Sequence, residues 1–256
     1  MDDQQRRDSA WRALDVVIDP ELDEPITDLG FVRSMDVTTE GEVAVHLRLP
    51  TSFCAPNFAY LMASDAKDVL TALEWTASVT VELDDHHDSA IINTGLAADA
   101  GYRGTFGHEA LDDLSELRTT FQRKAHTAAM ERCLTGILRR DPAIEITDLG
   151  TVTLGDLPAE ETTGSLLRRR ESLGLSTNAD DLVMVDHRGA GYAPAAVPMA
   201  LRRARSTRIS IDGNAHFCRG LLKTRYGDDA ADPRTAGNAP SDTGTFVPLS
   251  ALTMPA

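Results

Sequence analysis

Apolar and polar residues alternate most cleanly between Glu42 and Leu49, where Val43, Val45, Leu47 and Leu49 fall on one side. A period of two is that of a half-buried strand. Thr39-Glu40-Gly41 just before it is a hairpin turn, and Phe31 to Val37 is the strand that enters that turn. Upstream the period changes. Trp11, Leu14, Val17 and Ile18 recur at helical spacing and predict a helix over residues 9–18, with Ser9 as its cap. Asp19-Pro20 stops it, because proline disfavours helix for the residue before it. Glu21 to Pro25 is then a polar turn, and Ile26-Thr27-Asp28-Leu29-Gly30 leads into the strand. Downstream, Phe58, Leu61, Met62, Val69 and Leu73 form the stripe of a helix from about Pro56 to Leu73, and Val79, Val81 and Leu83 mark a third strand over residues 78–83. Residues 1–85 thus predict an α-β-β-α-β domain of the mixed α/β (α+β) class, with helices on a small mixed or antiparallel sheet.

The rest of the chain is less regular. Residues 86–109 are expected to be an irregular linker. Its His86-His87 pair with flanking acids is a metal-binding pattern only if both rings face one site, and a solvated loop is the expectation. From Glu109 to Arg140 the pattern is helical, divisible into two helices: Leu111, Leu114 and Leu117 form one stripe, and Ala125, Ala129, Cys133, Ile137 and Leu138 the other. Cys133 lies on that apolar face, as a core residue would. Glu160 to Leu173 reads as a helix, Leu182 to Val185 as a strand, Ala195 to Arg205 as a helix and Ala215 to Arg225 as a last helix, so residues 110–227 suggest a second small α/β unit. Residues 228–256 turn to Gly, Asp, Ala, Pro and Thr, the composition of a flexible tail.

Two echoes connect the halves. Asp19-Pro20 and Ile26 to Gly30 reappear as Asp141-Pro142 and Ile146-Thr147-Asp148-Leu149-Gly150. Phe53-Cys54 reappears as Phe217-Cys218, after a β-like run from Thr207 to Asp212. The separation from aspartate to cysteine is 26 residues in one half and 70 in the other. Degenerate duplication and chance are both open on this pattern.

Charge narrows the partners. The net charge is −15. Residues 1–110 hold 7 Lys+Arg against 21 Asp+Glu, and the remainder 18 against 19. An acidic half repels phosphate backbones and anionic lipid, so neither nucleic acid nor membrane is an expected partner. The clusters Arg168 to Arg170 and Arg202, Arg203, Arg205 and Arg208 are expected to be solvated helix faces. Three cysteines give no disulfide framework, and no run approaches the ~18 apolar residues of a membrane span. With no apolar signal segment at the start, the expectation is a cytoplasmic protein with reduced thiols. No Walker-type phosphate loop, dinucleotide fingerprint or Cys-x-x-Cys is present.

One thiol stands out. Cys54 sits in Leu49-Pro50-Thr51-Ser52-Phe53-Cys54-Ala55-Pro56-Asn57, where a strand gives way to a helix. Pro56 suits the first helical turn. A cysteine just ahead of that turn faces unpaired N–H groups and the positive end of the helix dipole, which favour the metal-binding thiolate. A small buried hydrophobe is the other reading of the same residue. Cys218 and His216 are further metal-ligand candidates, with Asp212 nearby, unless Cys218 opens a buried face with Leu221 and Leu222.

Taken together, Asp19-Pro20-Glu21, Ile26-Thr27-Asp28-Leu29-Gly30 and Thr51-Ser52-Phe53-Cys54, in that order, resemble the SufT/PaaD-type metal–sulfur cluster assembly family. The likeness covers about a third of the chain. Here Ala55 separates the cysteine from Pro56, where the family has proline directly after it. The resemblance implies an accessory factor, not an enzyme, that delivers iron or iron–sulfur clusters to client metalloproteins such as multicomponent oxygenases. It would carry a transient iron–sulfur cluster or iron on Cys54, in a homodimer if one thiolate from each subunit is needed. Asp28 and Thr51 would position the loop. A non-catalytic docking or chaperone subunit of an oxygenase, and a redox protein using Cys54, are the alternatives.

Overall fold

The computed structural model of the chain describes residues 1–107 and 114–227. Its first helix, α1 (Asp3–Leu14), begins before Ser9 because Asp2 and Gln5 form a capping box. Ser9 lies mid-helix, and its hydroxyl accepts from the Trp75 indole N–H at 3.3 Å. Val17 enters the core, and the chain doubles back through two short antiparallel strands, β1 (Ile18–Asp19) and β2 (Glu24–Pro25). Strands β3 (Val32–Val37) and β4 (Glu42–Arg48) form the expected hairpin. Helix α2 (Pro56–Thr71) then crosses over to β5 (Ser78–Asp84), which runs parallel to β4. The sheet order β3-β4-β5 makes it mixed. Val43, Val45 and Leu47 of β4 are buried toward the helices with Val81 and Leu83 of β5. In β3 a register shift between Val32 and Ser34 lets Val32 and Met35 both turn inward, three residues apart, as a bulge does.

Where it is described, at residues 86–107, the expected irregular linker holds two helices, α3 (Ser89–Ala97) and α4 (Gly101–Phe106). Ile92 and Leu96, one turn apart, are buried in the first core. Asn93 brackets Leu83, its side chain accepting from the Leu83 N–H at 2.8 Å and donating to the Leu83 carbonyl at 3.2 Å. A short two-residue stripe inside a Gly-rich span gave too little periodicity to reveal these helices.

The second half is helical around its own core. Helix α5 (Leu114–Arg140) is continuous, with Ala129, Met130, Cys133 and Leu134 buried; Glu109 and Leu111, the start of the expected pattern, lie outside the described residues, as does the expected tail 228–256. Short 3₁₀ turns (Ile146–Thr151 and Leu154–Asp156) lead to α6 (Glu161–Ser172). The strand expected at Leu182 to Val185 is reduced to isolated bridges, Thr153 with Leu182 and Val185 with Gly191. Val183 and Met184 are fully buried, but so short a run finds no ladder partner. The last two expected helices are one, α7 (Val197–Tyr226), 30 residues and about 45 Å long. Leu201, Ala204, Ile211, Ala215 and Leu222 keep one buried face throughout, so the polar stretch between the two expected helices is merely its solvent side. The β-like run Thr207 to Asp212 is therefore helix.

Helix α7 spans both cores. Val197, Leu201 and Ala204 pack in the second core with Leu149, while Ala215 and Leu222 pack in the first with Leu29. A Cβ on Gly150 would lie 2.8 Å from Val197, and one on Gly30 would lie 3.3 Å from Leu222. Gly30 also has φ +74, which favours glycine. The echo does not extend to structure: Ile26 to Gly30 leads into a strand, Ile146 to Gly150 is a 3₁₀ turn, and Phe217-Cys218 is mid-helix.

The arginine clusters are not plain solvated faces. A helix turns 100° per residue, so neighbours diverge. Arg168 is exposed and pairs with Glu161 at 2.6 Å. Arg169 grips Asp23 at 2.8 Å. Arg170 is buried, donating to the carbonyls of Ser176 and Leu182. Arg205 and Arg208 pair with the fully buried Glu131. Burial pushes the Glu131 carboxyl up, but hydrogen bonds from Thr135, Arg208 and Arg205 outweigh it and hold the pKa below the usual range. Arg118–Asp65, Arg169–Asp23 and Arg219–Glu24 join arginines of the nearly neutral second half to the acidic first. Among the described residues no helix is long and apolar enough to cross a membrane.

Candidate functional site

Cys54 lies in the loop between β4 and α2, half-buried against the first core. Pro56 opens α2, and Ala55, at the cap position, offers no side-chain bond to the first turn. The loop is instead held from its sides. Thr51 Oγ1 accepts from the Phe53 N–H at 3.1 Å and sits 3.6 Å from the Cys54 Sγ. His86 is buried; its Nε2 lies 2.8 Å from the Cys54 carbonyl and its Nδ1 accepts from the Asp88 N–H at 3.1 Å. That pair of bonds assigns the proton to Nε2, which donates to Cys54. The His87 N–H donates to the Ser52 carbonyl at 2.9 Å, and its ring stacks 6.0 Å from Phe53, which is 81% exposed. Of the histidine pair, His87 is solvated as expected while His86 is buried, and both brace the cysteine loop.

A second wall comes from α7. Arg225 donates to the carbonyls of Leu49 at 3.1 Å and Asp85 at 2.6 Å. The Tyr226 hydroxyl donates to Asp85 at 3.3 Å, and the Tyr226 ring lies 5.1 Å from the guanidinium groups of both Arg48 and Arg225. Arg48 donates in turn to the Gly30 carbonyl at 3.2 Å. The end of α7 therefore ties the Cys54 loop to the Asp-Leu-Gly segment. Cys218 is half-buried on this stretch. Burial pushes its thiol up to about 11, and the closeness of Cys54, Asp19 and Glu21 acts in the same direction.

The structure packs Cys54 and Cys218 against the same core and leaves His216 out. Positions i and i+2 of a helix point about 200° apart, and His216 is exposed on the far side. Asp212 is engaged by Arg132 and Arg208. Asp28 is exposed, whereas Asp19 is buried, its Oδ1 accepting from the N–H groups of Glu21 and Leu22 at 2.8 Å each. Burial pushes the Asp19 carboxyl up to about 6, against the pull of those two bonds. The turn-forming aspartate at an Asp-Pro step was the available signal for Asp19. Nothing local in the sequence pointed to Arg225 or Tyr226, whose partners lie more than a hundred residues away. Among the described residues, no group of three or more His, Cys, Asp or Glu is placed to hold a metal ion.

The sequence that builds this sheet and its cysteine loop is similar to known proteins. Residues 7–83 match the family described as iron-sulfur cluster assembly protein. An uncharacterized protein of Methanocaldococcus jannaschii is 31% identical over 90 residues, which cover 35% of this chain and 93% of that protein. No solved structure matches. The chain belongs to the iron–sulfur cluster assembly family through its first domain, and that membership connects it with iron–sulfur cluster assembly. Helices α5 to α7 lie beyond the matched residues.

Proposed function

We propose that this protein is an accessory factor that carries iron or an iron–sulfur cluster on Cys54 and passes it to client metalloproteins, oxygenase components among them. The observation that supports this best is the half-open Cys54 thiol in the family domain, fixed by Thr51 and His86 at the mouth of α2. A carrier must release what it binds. A site with few protein ligands suits that task better than a closed tetrahedral cage, which holds its metal for good. The remaining coordination positions belong to sulfide, a second subunit or the client. The protein's part is to present the sulfur and to stay folded while its cargo leaves.

Anaerobic reconstitution with iron and sulfide tests this reading. Wild type retains iron with sulfur-to-iron absorbance and Cys54→Ser does not; equal, background retention by both contradicts it. One observation favours docking without cargo: Phe53 and Phe217, each the residue before a cysteine, are 81% and 65% exposed. Under that reading Cys54→Ser leaves client maturation intact.

A further inference from the structure

We propose that the second half holds a binding site for a small organic phosphate, in the cavity where the last turns of α5 meet the start of α6 and the side of α7. The site lies outside the residues matched by the family and does not depend on any role for Cys54.

The cavity measures about 380 Å³. That lies within the roughly 300–1,000 Å³ of small-molecule sites. Arg132, Arg139 and Arg140 of α5 and Arg208 of α7 line it, against the carboxylates of Glu131 and Glu160. Just outside, Arg205 pairs with Glu131 and Asp212 pairs with Arg132 and Arg208, so these two further charges cancel. Four guanidinium groups against two carboxylates leave the cavity positive, in a chain whose net charge is −15. The existing pairs do not exhaust the donors. Arg208 uses Nε on Glu131 and Nη1 on Asp212. Arg132 uses Nη2 on Asp212 at 2.7 Å, and Arg140 uses Nη1 on Glu160 at 3.0 Å. A guanidinium carries about five N–H donors, so each keeps some for a ligand. Arg139 is exposed and pairs with no acid among the described residues. The Arg140–Glu160 pair is about half exposed at both ends, so it is weak and exchangeable for a phosphate. Guanidinium groups suit phosphate because their planar forks bond two of its oxygens at once.

Gly136 opens the space between these arginines. Arg132, Gly136, Arg139 and Arg140 are spaced i, i+4, i+7, i+8 and share one face of α5. A glycine inside a 27-residue helix weakens it. Close packing does not demand one here: a Cβ on Gly136 would meet only the Arg140 guanidinium, at 3.5 Å and beyond. Leu157 and Pro158 form an apolar wall of the same cavity, against which the organic part of the ligand would rest.

Calorimetric titration of the full chain with ribose phosphate tests this, with ribose, inorganic phosphate and sulfate as controls. Ribose phosphate should bind about tenfold tighter than inorganic phosphate or sulfate, and ribose should not bind. Arg139→Gln, which removes a charged donor, should weaken binding about tenfold. Glu160→Gln, which removes a competing carboxylate, should tighten it about twofold. Gly136→Leu should block the cavity and abolish binding. It should unfold at no lower temperature than wild type, because leucine is the better helix former. Sulfate bound as tightly as ribose phosphate would mark an adventitious ion only and overturn the proposal. So would no binding of ribose phosphate by wild type, or wild-type affinity in both Arg139→Gln and Gly136→Leu.

Discussion

Arg169→Met should be among the most damaging single changes at the seam between the two halves. The Asp23 and Arg169 side chains are only 8% and 18% exposed. The guanidinium Nε bonds both carboxylate oxygens, at 3.1 and 2.9 Å, and Nη2 also reaches the Asp23 carbonyl at 3.3 Å. Burial pushes the Asp23 carboxyl above its ordinary value, and Arg169 is the main group pulling it back. Removing the arginine strands a buried carboxylate, which costs about 3–5 kcal/mol. At roughly 2–4 °C per kcal/mol for a protein of this size, the melting temperature falls by about 6–20 °C. The pair itself is worth less than its disruption, because both charges were desolvated to make it. Asp23→Asn with Arg169→Met should therefore recover most of the loss, asparagine tolerating the φ of 57 that Asp23 adopts. Urea unfolding followed by circular dichroism, at pH 7 and in 0.15 M salt, measures all three proteins. A loss under about 1 kcal/mol for Arg169→Met, or a double variant no better than the single, refutes the reasoning.

Two buried groups should give opposite pH slopes. Burial, then Arg170 and Arg169, push the His126 imidazole down to about 4 from 6.5, so its stabilising contribution is whole above pH 6.5 and is lost as pH falls through 4, a swing of about 3 kcal/mol; His126→Phe should remove that slope in a pH series of urea melts. Asp19, pushed up to about 6 from 3.8, favours the folded state below pH 3.8 and loses that contribution as pH rises through 6, again by about 3 kcal/mol. Asp19→Asn keeps an oxygen for the Glu21 and Leu22 N–H groups and should raise stability at pH 7 by up to that amount; an unchanged midpoint would count against the buried charge. Alkylation with iodoacetamide at pH 7.5 should reach Cys54 first. Cys133 is buried and its thiol is pushed up to about 11, so it should label only on unfolding. Rapid labelling of Cys133 in the native protein would contradict its place in the second core.

What could be read from the sequence follows the range of the forces involved. Strands β3 to β5 and helix α2 came from local periodicity, because each buries one face against neighbours close in the chain. Cys54 was legible for the same reason: a proline-opened helix after an alternating strand is a local signature. Helix α7 reads as two helices because its polar middle, around Asp212 and Gly213, carries little apolar signal; only the two cores that it bridges show why it continues. The arginine runs read as solvent-facing because their acidic partners, such as Asp23 for Arg169 and Glu131 for Arg208, lie up to 146 residues away. His86 reads as loop for a like reason. Its role depends on the Cys54 carbonyl, 32 residues back, and on burial that no adjacent residue announces. That Cys218 packs against the same core as Cys54 is likewise a product of tertiary packing, which the weak Phe-Cys echo does not explain.

The central claim is that Cys54 carries cargo that leaves. The direct measurement is anaerobic transfer: load the full-length protein with iron and sulfide, remove the excess, mix it with an apo iron–sulfur acceptor, and separate and assay the acceptor over time. Wild type should fill the acceptor faster than equal free iron and sulfide, and Cys54→Ser should give no more than that free-ion rate. An equal transfer rate from wild type and Cys54→Ser would contradict the account.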